Sequence, residues 1–296
     1  MPRQPPEQLA WTPELEAFCA LVLERGAELY RDLAWRRTRD PYAIWISEVM
    51  LQQTQVSRVE GRWQRWLERF PSVDALAAAD AADVLEEWQG MGYNRRALAL
   101  LHAAQRVASA GGMMPRDEEA LRALPGIGPA TAAGIRAFAH DLPGVYLETN
   151  VRTVFLHELY PEAERVPDGE LVPLVRLCCP EGPAVGEGVG PRTWYYALLD
   201  YGAWLKRTVP NPSRRSSTHA RQSRFEGSHR QKRAAMLRLV LAHRGQGVST
   251  ERLAAELSEA EIAAGRDPVS VSAADALLEE LAREGFCYLE DNIWRA

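Results

Sequence analysis

The chain reads as an all-α protein, and three features of its sequence predict that class. Helix-start signals recur: Thr12-Pro13, Asp40-Pro41, Ser72 and Ser249-Thr250 each put a capping side chain ahead of an apolar run. Apolar residues then return at three- and four-residue spacing in one segment after another. Finally, Leu124-Pro125-Gly126-Ile127-Gly128-Pro129-Ala130-Thr131 joins two such segments by a turn too tight for side chains. Strand signal is confined to Phe286–Leu289 and Ile293-Trp294 near the end.

After a Pro-rich stretch over 1–11, Leu15, Phe18, Leu21, Val22, Leu29 and Leu33 share one face of a helix predicted to reach about Trp35. A second helix is predicted from Pro41 through about Gln53. Within it Ile44, Trp45 and Leu51 lie about one turn either side of Glu48, which sets that carboxylate among apolar neighbours. Desolvation there raises a carboxyl's pKa and lets it carry a proton near neutrality, as a general acid must. The plainer reading, an outward Glu48 that solvates the helix, stays open at this level. Over 55–70 the stripe Trp63, Trp66, Leu67 and Phe70 is assigned to the core. A helix over 73–88 is closed by Gly90 and Gly92; Tyr93 follows, and an Ala/Leu-rich helix runs to Ala108. Beyond the glycine turn, Leu147-Glu148-Thr149-Asn150-Val151 opens a further helix, with Thr149 and Asn150 as its capping pair. A looser stretch over 161–191 holds one short helix near Leu171–Cys178, and Trp194–Leu205 is helical again.

Composition bounds the rest. At 296 residues with 46% hydrophobic content the chain can bury one large core or two moderate ones. The four cysteines, Cys19, Cys178, Cys179 and Cys287, contain no Cys-x-x-Cys, so neither a zinc site nor a disulfide framework is expected. No apolar run approaches a membrane span, and Met1–Pro6 lacks a signal-peptide core, which makes the cytoplasm the expected compartment. A net charge of −5 argues globally against nucleic acid, but Lys206–Arg233 carries Lys206, Arg207, Arg214, Arg215, Arg221, Arg224, Arg230, Lys232 and Arg233 against the single acid Glu226. Such a run is either a solvated linker or a phosphate-binding patch.

The glycine turn leaves main-chain N–H groups bare at the start of the next helix, a concavity that binds anions, typically phosphate. Read alone, it is equally an ordinary helix–helix turn, and Glu148 an ordinary acid at a helix start. Several blocks together go further. Asp40-Pro41-Tyr42 through Ser47-Glu48-Val49-Met50-Leu51-Gln52-Gln53-Thr54-Gln55-Val56, then Gly90-Met91-Gly92-Tyr93, then Leu124-Pro125-Gly126-Ile127-Gly128 resemble, in order and spacing, the helix-hairpin-helix (HhH-GPD) DNA glycosylase superfamily. The resemblance covers about 40–205 and is nearest the MutY-type adenine glycosylase and endonuclease III branch.

That resemblance implies an all-α, two-lobed fold with a central cleft: a six-helix barrel lobe over 40–143 containing the hairpin, and a second helical lobe from 1–39 and 144–205. A basic loop over 206–233 follows, and a small winged-helix-like module over 234–296. It implies that Glu48 protonates a purine leaving group, that Glu148 stabilises the cationic sugar, and that Asn150 holds Glu148 or a water. Gln52 and Tyr93 would wedge into the base stack, while Gly126, Gly128, Thr131, Arg95, Arg96, Arg214, Arg215 and Arg221 would contact DNA.

Three departures stand out. The family's second acid is usually Asp, and this chain has Glu148. Ala130 occupies the position of the Schiff-base lysine of strand-cleaving relatives, which favours a monofunctional hydrolase. At the four cysteines of the family's iron–sulfur cluster stand Lys206, Ser213, Ser216 and Gln222, so no cofactor is expected. The expected partner is double-stranded DNA with a mismatched or damaged base, bound by a monomer. Adenine in a mismatch is the leading substrate; hypoxanthine, uracil or mismatched thymine is the alternative. The C-terminal module, with Glu279, Glu280 and Glu284 on its third helix, suits packing or protein contact better than base reading. A non-catalytic DNA-structure binder is the competing class, and a desolvated Glu48 argues against it, because a binder gains by replacing such an acid.

Overall fold

The computed structural model describes residues 10–183, 188–216 and 224–296, so Arg221 and Gln222 lie outside the described residues. Helices dominate, and the named strands among the described residues form one two-stranded hairpin. Contacts divide the chain into two units.

The first unit takes in the described residues of Met1–Leu67 and Met113–Ala220. With helices numbered along the whole chain, it holds α1 (Pro13–Glu28), α2 (Pro41–Leu51), α3 (Val56–Val59), most of α4 (Arg62–Arg69), α8 (Glu118–Arg122), α9 (Pro129–His140), α10 (Thr149–Glu158), α11 (Asp168–Cys178) and α12 (Pro191–Thr208). Capping follows the sequence signals. Thr12 Oγ1 accepts from the Leu15 amide at 3.4 Å, and the Asp40 carboxylate accepts from the Tyr42 and Ala43 amides at 3.1 and 3.4 Å. The core gathers Phe18 and Val22 from α1, Phe138 from α9, Val154 and Phe155 from α10, and Trp194 and Leu198 from α12. Phe18 and Phe155 meet edge to face with ring centroids 4.9 Å apart. Asp200 of α12 is buried, and Arg36 holds it through two bonds of 2.6 and 2.9 Å, with Arg31 Nε at 2.5 Å.

This grouping differs from the ranges expected for the two lobes. Residues 113–143 fall with α2, α10 and α12 rather than with 68–112, because α9 buries its apolar side against α2 and α12. Several predicted helices are also shorter. α1 stops at Glu28, and Trp35 sits in a separate 3-10 turn at Ala34–Arg36; α2 ends at Leu51. Over 55–70, Trp63 and Trp66 on α4 and Phe70 just past its end are buried, as expected of a core stripe.

The second unit takes in the described residues of Glu68–Gly112 and Arg221–Ala296. It contains α5 (Val73–Ala77), α6 (Ala81–Glu87), α7 (Arg95–Ser109), α13 (His229–Ala242), α14 (Thr250–Ala263) and α15 (Val271–Arg283), and the antiparallel hairpin β1 (Tyr288–Glu290) and β2 (Ile293–Arg295), with Leu289 opposite Trp294. The helix predicted over 73–88 is two helices, parted before Asp80, whose carboxylate pairs with Arg244 at 3.0 Å. Three helices and a terminal hairpin make up the C-terminal module, and α13 starts at His229. The stretch 206–233 is therefore not one loop: Lys206 and Arg207 finish α12, Arg214 and Arg215 lie in a 3-10 turn at Pro212–Arg215, and Arg230, Lys232 and Arg233 belong to α13. No helix among the described residues is long and apolar enough to cross a membrane.

Candidate active site

A cavity of about 460 Å³ in the first unit is lined by Glu48, Gln52, Ala130, Thr131, Tyr146, Glu148 and Asn150, with Arg31, Arg36 and Tyr196 on its wall. The two acids singled out from the sequence thus meet in one space, although they stand far apart along the chain.

Glu48 is 8% exposed. It projects from α2 toward α9, where a Cβ on Gly134 would overlap its Oε2 and crowd the Tyr146 ring, so only glycine leaves room for this carboxyl. Burial pushes its pKa up to about 8; the Tyr146 hydroxyl, which donates to the carboxyl, opposes this, and the charge of Glu148 adds to it. The phenol itself is pushed well above its ordinary value by burial and by both acids, so it remains a donor. Its ring is wedged edge-on between Phe138 and Tyr195, at 5.2 and 5.3 Å, which leaves it little freedom.

Glu148 is the N-cap of α10, in place of the Thr149-Asn150 pair expected from sequence. One of its oxygens accepts from the Asn150 and Val151 amides at 2.6 and 3.2 Å. A glutamate can take the capping role because its longer arm folds back onto the first turn, where the helix dipole also favours its charge. Burial raises its pKa, while Lys206, the two amides and the Asn150 side chain oppose that rise. The two carboxyls therefore differ in kind: Glu48 faces a neutral phenol and apolar walls, and Glu148 faces a cation and a helix start. Asn150 Oδ1 is buried without a hydrogen-bond partner among the described residues.

Around the cavity, Gln52 Nε2 donates to Thr131 Oγ1 at 3.0 Å, which ties the end of α2 to the first turn of α9. Gly126 has φ +76°, the left-handed region that glycine tolerates, but Gly128 does not: at φ −85° and ψ 176° its backbone is extended, and a Cβ there would meet nothing. The expectation that both glycines are demanded by backbone freedom is corrected for Gly128. Gly126, Gly128 and Pro129 are exposed, and no side chain among the described residues caps α9, which leaves its first amides open.

Of the other expected contacts, Tyr93 and Arg214 are exposed, whereas Arg95, Arg96 and Arg215 are engaged by other groups. In the second unit Tyr93 is 46% exposed, at φ +50°. Arg96 lies over the Trp88 and Tyr93 rings and donates to the Gly92 and Met91 carbonyls at 3.0 and 3.3 Å; burial lowers its pKa to about 10. Arg95 is forked onto Glu284 at 2.7 and 2.8 Å. In the first unit Arg214 is exposed, whereas the Arg215 guanidinium donates to the carbonyls of Leu156, Tyr160, Pro161 and Ala163 at 2.5–3.3 Å. Arg215 thus clasps the end of α10, because a helix C-terminus offers unpaired carbonyls and a negative dipole end. Sequence reasoning missed Tyr146, Gly134 and the effect of Lys206 on Glu148. Only Tyr146 left a signal, standing two residues before Glu148, the spacing that puts two side chains on one side of an extended segment.

The residues at the family's cluster positions do not suit iron. Ser213 and Ser216 are buried hydroxyls, Ser213 donates to Asn211 Oδ1 at 2.8 Å, and Lys206 is a cation, so none of these three positions offers a thiolate.

The first unit thus combines a glycine turn with open amides at a helix start and a pocket that holds two unlike acids. The chain belongs to the HhH-GPD superfamily of base excision DNA repair proteins, whose family profile matches residues 46–172. It is 32% identical over 234 residues to an adenine DNA glycosylase of Mycobacterium tuberculosis, covering 72% of this chain and 75% of that one. It is 44% identical over 136 residues to one from Mycolicibacterium smegmatis and 38% identical over 151 residues to the human one, but the match spans only 46% and 28% of those proteins. Among solved structures, a thermostable thymine-DNA glycosylase superposes with a TM-score of 0.55 at 21% identity, covering 74% of this chain and 94% of that one. An endonuclease III–DNA complex superposes with a TM-score of 0.51 at 16% identity, covering 75% and 94%; these likenesses concern the fold.

Proposed function

We propose that the chain is a monofunctional DNA N-glycosylase of base-excision repair, which hydrolyses the N-glycosidic bond of a flipped base, adenine in a mismatch. The observation that carries this reading is the pair of unlike acids in one cavity, Glu48 raised to about 8 and Glu148 set on two amides. At neutral pH Glu48 holds a proton and can give it to a ring nitrogen of the departing base, so that the base leaves neutral and takes the bonding pair with it. Positive charge then develops on the sugar, and the Glu148 carboxylate stabilises it. Glu48, now ionised, accepts the proton of the water that attacks the sugar carbon, and Asn150 Oδ1 is an acceptor suited to hold that water. The Tyr146 hydroxyl keeps the Glu48 carboxyl aimed. Ala130 lines the cavity without an amine, so a lyase step has no nucleophile there.

For DNA binding, the exposed turn at Gly126 and Gly128 is suited to a backbone phosphate, with Gln52 and Tyr93 as wedges, Arg214 as a phosphate contact, and the chain acting as a monomer on duplex DNA without a cofactor. The relatives called adenine DNA glycosylase support the choice of base. A panel of duplexes, each with one mismatched or modified base, followed by alkaline cleavage of abasic sites, tests the reading. Adenine in a mismatch should be released, Glu48→Gln should abolish release while leaving DNA binding nearly intact, and Glu148→Gln should slow it strongly. Release by Glu48→Gln as fast as by the parent would overturn the assignment, and release of hypoxanthine, uracil or thymine alone would overturn the choice of base.

A further inference from the structure

Helix α12 packs along α10 with Gly202 against Asn150, where a Cβ would overlap the Asn150 carbonyl oxygen. This contact lays one face of α12 on the first turn of α10, the turn that Glu148 caps. Lys206 follows Gly202 by one helical turn on the same face, and helix side chains lean back toward the N-terminus, so its stem is directed at that cap. The side chain is half-buried. Glu148 is the acid whose charge acts on Lys206, and Lys206 the cation whose charge acts on Glu148.

The other charges nearby are already matched. Arg31, which repels Lys206, is held by Asp200 at 2.5 Å, Arg36 shares the same carboxylate, and Arg152 of α10 is forked onto Asp168 at 2.8 and 2.9 Å. Glu48 from α2 and Tyr146 from the segment ahead of α10 face Glu148 as a proton-bearing acid and a neutral phenol. In a partly water-excluded site a charge acts over several ångströms, so among the described residues Lys206 and Glu148 are left to each other.

We propose that Lys206 is the through-space counter-charge of Glu148, a positioning residue that keeps the second acid ionised while the first holds its proton. The catalytic consequence rests on the glycosylase reading; the electrostatic pairing does not.

Carboxyl NMR on protein labelled at the glutamate Cδ tests the pairing, with Glu148→Gln assigning the signal. In Lys206→Met the Glu148 signal should titrate about one pH unit above the parent, and in Lys206→Arg it should stay with the parent. In a base-release assay the acid limb of the pH profile should move up by the same amount, about tenfold slower on that limb, while the alkaline limb set by Glu48 stays in place. Lys206→Gln replaces Lys206→Met if that variant does not fold, as judged by circular dichroism. An unmoved Glu148 titration in the neutral variant overturns the inference. A moved titration in a protein that releases no base from any duplex supports the pairing and overturns the glycosylase reading instead.

Discussion

Replacing Glu48 by Gln should make the protein more stable, by an amount that grows with pH. Burial raises this carboxyl to about 8 from the ordinary 4.5, so the native state keeps its proton through a range in which the unfolded chain releases it. Between those two values the unfolded state binds fewer protons than the native state, and stability falls as pH rises. Below 4.5 both states are protonated and the effect vanishes; above 8 it is complete. The slope is about 1.4 kcal/mol per pH unit, which amounts to about 3 kcal/mol at pH 7. The glutamine side chain is uncharged, has the same shape and can still accept from the Tyr146 hydroxyl, so the variant loses the pH-dependent cost and little else. Urea denaturation of both proteins at pH 5, 6, 7 and 8 measures it directly. The variant should gain little at pH 5 and about 3 kcal/mol at pH 7. Glu148 is also raised by burial but is present in both proteins, so its own contribution largely cancels in the comparison. A stability difference that is the same at pH 5 and pH 8 would mean that Glu48 is ionised in the native protein, and the proton-donor role would fall with it.

Two further perturbations separate structural from functional roles. Gly126→Ala forces a side chain into the left-handed region and should cost about 1 kcal/mol in urea unfolding, whereas Gly128→Ala should leave stability within about 0.5 kcal/mol and weaken DNA binding in a fluorescence titration, because its methyl stands where a strand would approach. Arg215→Ala should cost about 2–4 kcal/mol by leaving the carbonyls at the end of α10 without their donor, with only partial recovery in Arg215→Lys, whose ammonium lacks the fork; unchanged unfolding midpoints would refute the clasp.

Local chemistry accounts for what could be read without coordinates. Thr12, Asp40 and Ser72 cap helices where the sequence places them, since capping depends only on residues within one turn. Helix ends were less legible: α1 stops at Glu28 and the 73–88 segment breaks before Asp80, because apolar spacing records which face is buried and not whether the backbone bonds continue. Among the site residues, Glu48 could be recognised from its apolar neighbours on α2, while Arg95 and Arg215 could not be told from free cations, since Glu284 and the carbonyls that occupy them lie far along the chain.

By itself the sequence determined the helical class, the open glycine turn at Gly126 and the presence of two acids in a recognisable order. Only the tertiary structure decided that those acids share one cavity in unlike surroundings, with Tyr146 and the space left by Gly134 serving Glu48, and the first turn of α10 and Lys206 serving Glu148. The reason is physical. A cap or a turn is set by atoms a few residues apart, but desolvation and through-space charge come from whatever the fold packs around a group.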